Sequence, residues 1–231
     1  MKAVNFPVIT VDGASGTGKG VVTQLVAKAL GWNLLDSGAI YRVLALAAIK
    51  HELALEDEAA LVALANHLDI QFKSSECFEF PHIFLENQEV TEEIRTEFIG
   101  NTASKISRLP GVRLALLEKQ RAFRRTPGLV TDGRDMGTVV FPDASLKIFL
   151  TASAEERARR RYKQLKEKGI NVNLGDLVAD LRERDQRDSE RAVAPLRPAA
   201  DAVSIDTDNL NIDEVVARIL SEVERVFPAV H

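Results

Sequence analysis

Short apolar runs alternate along this chain with longer stretches in which apolar residues return every three or four positions. The first run, at 8–12, holds Val8, Ile9 and Val11 and is followed by a helical stretch from about 20 to 30. Residues 32–36 read as a short buried strand and 37 to about 51 as a helix. A second helix, about 56–67, is rich in alanine and leucine, with Leu61, Leu64 and Leu68 at helical spacing. The texture then changes. Residues 69–73, 82–86 and 88–91 alternate or carry β-rich residues and are broken by Ser74-Ser75 and Asn87-Gln88, which predicts a small antiparallel insertion. Helices are expected at about 92–107 and, after Pro110, at about 111–124. Strands follow at 129–132, 146–150 and 202–206. Helices follow at about 154–168, 174–189 and 212–227, with no internal repeat and no low-complexity linker.

Strands separated by helices argue for an α/β fold in which a central parallel five-stranded sheet is flanked by helices through right-handed crossovers. Ligands of such sheets gather outside the carboxyl ends of the strands. Three of the runs end there in polar clusters: Asp12, Asp36-Ser37, and Asp132-Gly133-Arg134-Asp135. That convergence predicts a site.

Composition narrows the class. The 231 residues are 45% hydrophobic, enough for an ordinary core, and the net charge of −4 provides no global field for nucleic acid. Cys77 stands alone, which excludes an internal disulfide and a cysteine-based zinc cluster. No basic-then-apolar leader pattern or membrane-length apolar run is visible, so a cytoplasmic protein without membrane or nucleic-acid partners is expected, a monomer by default.

Between the first strand and the first helix lies Gly13-Ala14-Ser15-Gly16-Thr17-Gly18-Lys19-Gly20. A strand, a glycine-rich turn and a helix in this order form a phosphate-cradling P-loop. Its backbone N–H groups turn inward, the helix N-terminus adds partial positive charge, and Lys19 reaches the outer phosphates of a nucleoside triphosphate. The usual pattern places a serine or threonine after the lysine, where the hydroxyl meets magnesium. Here Gly20 and Val21 follow, so the metal must be held by water, phosphate oxygens and a carboxylate elsewhere. Asp132, at the end of a Leu-Val-Thr run, has the position of such a carboxylate, although an aspartate before Gly133 also suits an ordinary turn.

Arg157, Arg159, Arg160 and Arg161 fall on one helix, and Arg184, Arg187 and Arg191 on another. Residues 155–191 hold 11 Lys and Arg against 9 Asp and Glu, so this is no plain basic patch, and solvated helix faces with pairs such as Arg184 to Asp188 are the bland alternative. Arg184, Asp188 and Arg191 nevertheless share one stripe, and guanidiniums flanking a carboxylate suit a ligand with a phosphate and a hydroxylated sugar. The four histidines show no metal-ligand or triad spacing and are assigned to surface or packing.

These motifs resemble those of the bacterial-type cytidylate kinases, nucleoside monophosphate kinases of pyrimidine metabolism. The resemblance spans essentially the whole chain. It rests on the loop from Asp12 to Gly20, on Leu35-Asp36-Ser37-Gly38-Ala39-Ile40-Tyr41-Arg42, and on the run from Asp132 to Pro142. Arg184-Asp185, Asp188, Arg191 and Ala194-Pro195-Leu196 complete it. It implies transfer of the ATP γ-phosphate to CMP or dCMP with Mg2+. It also implies a P-loop core at about 1–36, 108–153 and 192–231, a monophosphate-binding region with the β insertion at about 37–107, and a helical lid at about 154–191.

Carried over residue by residue, Gly13, Ala14, Ser15, Gly16, Thr17, Gly18, Lys19, Gly20 and Val21 would bind ATP together with Arg157 and Arg161. Ser104, Arg113 and Asp135 would read cytosine, Arg184 and Asp188 would hold the ribose, and Arg42, Arg134 and Arg191 would clamp the acceptor phosphate. Ser37 and Tyr41 would line the acceptor site. Lys19, Arg134, Arg161 and Arg191 would act on the moving phosphoryl group, with Asp132 on the metal through water. The family usually has threonine where Val21 stands, which implies weaker ATP affinity here rather than lost activity. Two other readings fit the loop alone: a P-loop kinase for another small acceptor such as AMP, UMP or shikimate, and a nucleotide-sensing module without catalysis.

Overall fold

The computed structural model describes residues 6–73, 81–167 and 169–228. The Ser74-Ser75 break, Cys77, Lys168 and His231 lie outside them. The chain divides into two compact units, one from residues 1–35 and 124–231, the other from 36–123.

In the first unit the apolar runs assemble a five-stranded sheet in the order β2-β6-β1-β7-β8. The strands are β1 (Val8–Gly13), β2 (Asn33–Asp36), β6 (Leu129–Gly133), β7 (Leu146–Thr151) and β8 (Val203–Asp206). β1 pairs in parallel with β6 and with β7, and β7 with β8. Every residue of β1 and β6 is buried, as expected of central strands covered on both faces. Val22 and Val26 of α1 (Lys19–Leu30), with Val215, Ile219 and Val223 of α8 (Ile212–Val226), close over Ile9, Val11, Val130 and Ile148. A capping box starts α8. Asn211 accepts from the Glu214 N–H at 3.0 Å, while the Glu214 carboxylate accepts from the Asn211 N–H at 2.8 Å. The charged stretch of the same unit forms α6 (Ala154–Glu167) and α7 (Leu174–Ser189), which share a small core of Ala158, Leu165 and Leu177.

The second unit is built on α2 (Ser37–Lys50), which starts at Asp36, whose carboxylate accepts the Ala39 N–H at 3.0 Å. Ten residues of α2 are buried, so it is a core helix rather than an amphipathic one. α3 (Glu58–Asn66) is capped by Asp57. The insertion is a three-stranded antiparallel sheet, β3 (Ile70–Lys73), β4 (His82–Leu85) and β5 (Gln88–Glu89). Its β4–β5 turn places Glu86 and Asn87 at φ 50° and 63°, the pair of positive angles that tight hairpins use.

Two expectations change. The helix expected at 92–107 is a 3₁₀ turn at Glu93–Arg95 followed by α4 (Glu97–Ile106). The extended backbone of Thr96 (ψ 152°) breaks the run, and its hydroxyl caps the new helix. α5 (Pro110–Arg121), expected in the core, groups with the second unit. There the Gly111 N–H donates to Glu58 at 2.6 Å and Lys119 to the Leu68 carbonyl at 3.5 Å. Among the described residues no helix is long and apolar enough to cross a membrane.

A third element was not expected at all. Residues Met136–Val140, just after β6, wind as a π-turn in which Val140 N–H bonds to the Asp135 carbonyl and Phe141 N–H to that of Met136. Asp12, at the end of β1, holds its start: Oδ1 accepts the Met136 N–H at 2.9 Å and Oδ2 the Gly137 N–H at 2.8 Å. Burial pushes the Asp12 carboxyl up to about 6; those two N–H groups only partly offset it.

A group whose folded value lies above its unfolded one stabilises most below the unfolded value and loses that contribution as pH rises through the folded one. The Asp12 contribution should therefore fall by about 2 kcal/mol between pH 4 and 7, because each tenfold change in proton affinity is worth about 1.4 kcal/mol and the unfolded group is already partly ionised at pH 4. Urea unfolding of wild type and Asp12→Asn across this range measures it. The stability gap should move in favour of the variant as pH rises, and a gap independent of pH would contradict the assignment.

Candidate active site

The loop between β1 and α1 is shaped by close approaches. A Cβ on Gly13 would lie 2.5 Å from the Leu150 carbonyl oxygen of β7, so only glycine leaves the strand there without a clash. Gly16 and Gly18 take φ of 82° and 85°, which strains any residue bearing a Cβ. Thr17 donates to the Ala14 carbonyl at 3.0 Å, and Lys19 Nζ donates to the same oxygen at 2.9 Å, so the lysine arches back over the loop. Gly18 caps α1, and the first amides of that helix open at the loop.

Arg157 of α6 buttresses the loop. It is buried, donates to the Ser15 carbonyl at 2.9 Å and to the Ala152 carbonyl at 3.0 Å, and pairs with the Asp185 carboxylate of α7 through both terminal nitrogens. Its neighbours on α6 diverge. Arg160 turns to Glu156 and to the Thr207 carbonyl and hydroxyl, Arg159 pairs with Glu156 on the surface, and Arg161 donates to Gln164. Of the arginine run, Arg157 bonds to the loop.

A second cluster forms where β6 ends. Asp188 of α7 is 1% exposed, and its two carboxylate oxygens take one guanidinium each: Arg134 Nε donates to Oδ2 at 2.8 Å, and Arg191 Nη2 donates to Oδ1. Burial alone would raise the Asp188 pKa. The attraction of Arg134 and Arg191, the Arg134 hydrogen bond and the charge of Arg184 outweigh it and hold the carboxyl at about 2. Burial also works against the Arg134 charge, yet Asp188, with Asp132 and Asp185 beyond it, raises its pKa above the ordinary arginine value. The cluster is thus ionised at any physiological pH. Arg191 reaches Asp188 from just past the helix end rather than from the helix itself.

Asp135 is buried and stands at the start of the π-turn with φ −143° and ψ 23°. Asp132 is buried beside it on β6, in register with Val11 of β1. Among the described residues no three His, Cys, Asp or Glu side chains gather as a metal cage. The donor that β6 offers, the buried Asp132 carboxylate, is of the oxygen type that suits a hard divalent ion taking most of its ligands from phosphate and water. His51 and His82 pair with Glu86 and Glu89 on the surface.

Val21 stands in the first turn of α1 and Arg184 on α7, whereas Ser37, Tyr41, Arg42, Ser104 and Arg113 lie in the unit 36–123. Ser37 donates to Gln120 Oε1 at 2.9 Å, both buried, and Arg42 donates to the Ile94 carbonyl at 3.0 Å. Arg113 is buried, donates to the Ser107 carbonyl at 3.1 Å, and sits 5.6 Å from the Tyr41 ring centre. Ser104 is buried on α4. Sequence reasoning missed Asp12, Asp185 and Gln120 as partners of these groups. A carboxylate closing an otherwise apolar central strand was the signal for Asp12.

The family model for cytidylate kinase matches residues 9–225. A cytidylate kinase of Stutzerimonas stutzeri is 61% identical over 217 residues, which cover 94% of this chain and 95% of that protein. One from Aeromonas salmonicida is 60% identical over 219 residues, covering 95% and 94%. One from Pseudomonas aeruginosa is 59% identical over 219 residues, covering 95% and 96%. Likeness at this level, spanning the chain from the first strand to the last helix, makes the chain a member of the cytidylate kinase family.

Proposed function

We propose that the protein transfers the γ-phosphate of ATP to CMP or dCMP, giving ADP and CDP or dCDP. The observation that carries this reading is the Arg134–Asp188–Arg191 cluster, in the same unit as the P-loop, with Arg134 just past the end of β6, the strand adjoining β1. Two guanidiniums, Arg191 buried and Arg134 half-buried, tied to one carboxylate are prepared for a second anion. A nucleotide phosphate supplies one.

Phosphoryl transfer leaves little covalent work to a protein. A phosphate monoester has lost most of its second proton near neutral pH, so the acceptor oxygen attacks the γ-phosphorus without a general base. The bond from that phosphorus to the β–γ bridging oxygen breaks, and ADP carries away the electron pair. Negative charge spreads over the transferring group. Lys19 swings from the Ala14 carbonyl onto the outer phosphates of ATP, while loop amides hold the inner ones. Arg134 and Arg191 hold the acceptor phosphate, and Arg161, on the α6 surface, is assigned to the moving group. Arg157, committed to the Ser15 carbonyl and Asp185, supports the ATP loop from beneath.

Asp132 would hold Mg2+ through water, and the ion would neutralise charge on the ATP phosphates. Asp135 is assigned to cytosine, whose exocyclic amine donates to a carboxylate; uracil presents a carbonyl there and is repelled. Arg184 and Asp188 are assigned to the ribose. In the unit 36–123, Arg42 is assigned to the acceptor phosphate, Ser104 and Arg113 to the base, and Ser37 and Tyr41 to the acceptor nucleoside.

A coupled ADP-release assay over CMP, dCMP, UMP, AMP and shikimate tests the assignment. Turnover should be greatest with CMP or dCMP; preference for another acceptor, or binding of ATP and CMP without turnover, would overturn it. Lys19→Ala, Arg134→Ala and Arg191→Ala should each lower kcat by about 10³-fold, the scale seen when a cation stabilising transferring phosphate is removed. Wild-type kcat in all three would move the chemistry elsewhere.

A further inference from the structure

We propose that Asp12 is a positioning residue for base selection: by gripping the Met136 and Gly137 N–H groups it fixes where Asp135 presents its carboxylate. The inference rests on the assignment of Asp135 to cytosine. Its observations are independent of that assignment.

The two bonds are consecutive and use both oxygens of one carboxylate, 2.9 Å to Met136 and 2.8 Å to Gly137. A two-point grip fixes the tilt of a peptide plane as well as its distance. The gripped planes directly follow Asp135. From the other side, the Asp135 carbonyl accepts the N–H groups of Val139 at 2.9 Å and Val140 at 3.2 Å. The backbone of Asp135 is thereby held between the turn it begins and the strand β1.

Steric fit presses the turn onto the same strand. A Cβ on Gly137 would lie 2.8 Å from Thr10 Oγ1 and 3.2 Å from the stem of Lys147, so the turn sits against β1 and β7 at bare-backbone distance. The anchor itself cannot drift. Asp12 is in register with Gly133 on one side and Phe149 on the other, and Gly13 next to it meets the Leu150 carbonyl too closely for any side chain.

Asparagine cannot reproduce the grip on both N–H groups. Asparagine has the shape of aspartate, but one of its two terminal atoms is a donor and would face an N–H donor. The first N–H groups of a buried turn left without an acceptor would shift to find one. Asp12 is also the last residue before the P-loop. One carboxylate therefore borders both the loop assigned to ATP and the turn assigned to the base, and the proposal places its effect on the base.

A staple that merely held the fold together would, when cut, reduce turnover of all acceptors alike. The discriminating quantity is the ratio of kcat/KM for CMP to that for UMP, measured for wild type, Asp12→Asn and Asp135→Ala. Asp12→Asn should lower the ratio about tenfold or more, in the direction of Asp135→Ala, because a misplaced hydrogen-bonding group stops penalising the wrong base. An unchanged ratio in Asp12→Asn beside a collapsed ratio in Asp135→Ala overturns the proposal and leaves the base assignment standing. An unchanged ratio in Asp135→Ala removes both. Should Asp12→Asn not fold, Gly137→Ala takes its place, since the added methyl meets Thr10 and lifts the turn from Asp12. The same ratio and the same criterion apply.

Discussion

The structure depends most on one buried carboxylate. Asp188 allows Arg134, from the end of β6, and Arg191, from beyond α7, to share a small volume away from water. Without it their charges would repel in a region of low dielectric, and each would pull toward solvent. A charge buried alone is costly; a carboxylate with a guanidinium on each oxygen is satisfied and ionised far below neutral pH. What remains is net positive charge, already desolvated and already oriented. An arriving phosphate meets donors that need little further ordering, which is the property that electrostatic catalysis requires.

The same logic runs through the P-loop. Arg157 ties the Ser15 carbonyl to Asp185, three residues before Asp188 on α7. The helix that carries Asp188 is thus fastened to the loop assigned to ATP by a second ion pair. A shift of α7 would disturb both pairs together. Asp12 adds the third fixed point, joining β1 to the turn after β6. In each case a carboxylate settles a position that hydrophobic packing alone would leave loose, because directional bonds set angles and dispersion does not.

Much of this was legible in the amino-acid sequence. The continuous apolar runs of β1, β6 and β7 give buried parallel strands, and the glycines between β1 and α1 announce their loop because no other residue fits φ above 80°. Asp132, Arg134 and Asp135 stand at a strand end, where such sheets bind ligands. Other features lie beyond periodicity. A five-residue π-turn is too short to carry a period, and its stability comes from Asp12, more than 120 positions earlier. The split at Thr96 is decided by one hydroxyl cap inside an otherwise helical pattern. On α6, Arg157 and Arg159 look alike in sequence, yet one is buried against Asp185 and the other pairs with Glu156 at the surface. Their fates differ because α6 and α7 pack on Ala158 and Leu177, a contact that no local rule foresees.

If Asp188 works by holding Arg134 in place, removing either should forfeit much of the same interaction. Calorimetric CMP binding to wild type, Arg134→Ala, Asp188→Ala and the double variant decides this. The expected result is strong overlap: the double variant loses less than the two single losses combined, by about 1 kcal/mol or more. Losses that add to within about 0.5 kcal/mol would mean that the two residues act independently, and the central role given to the buried carboxylate would be wrong.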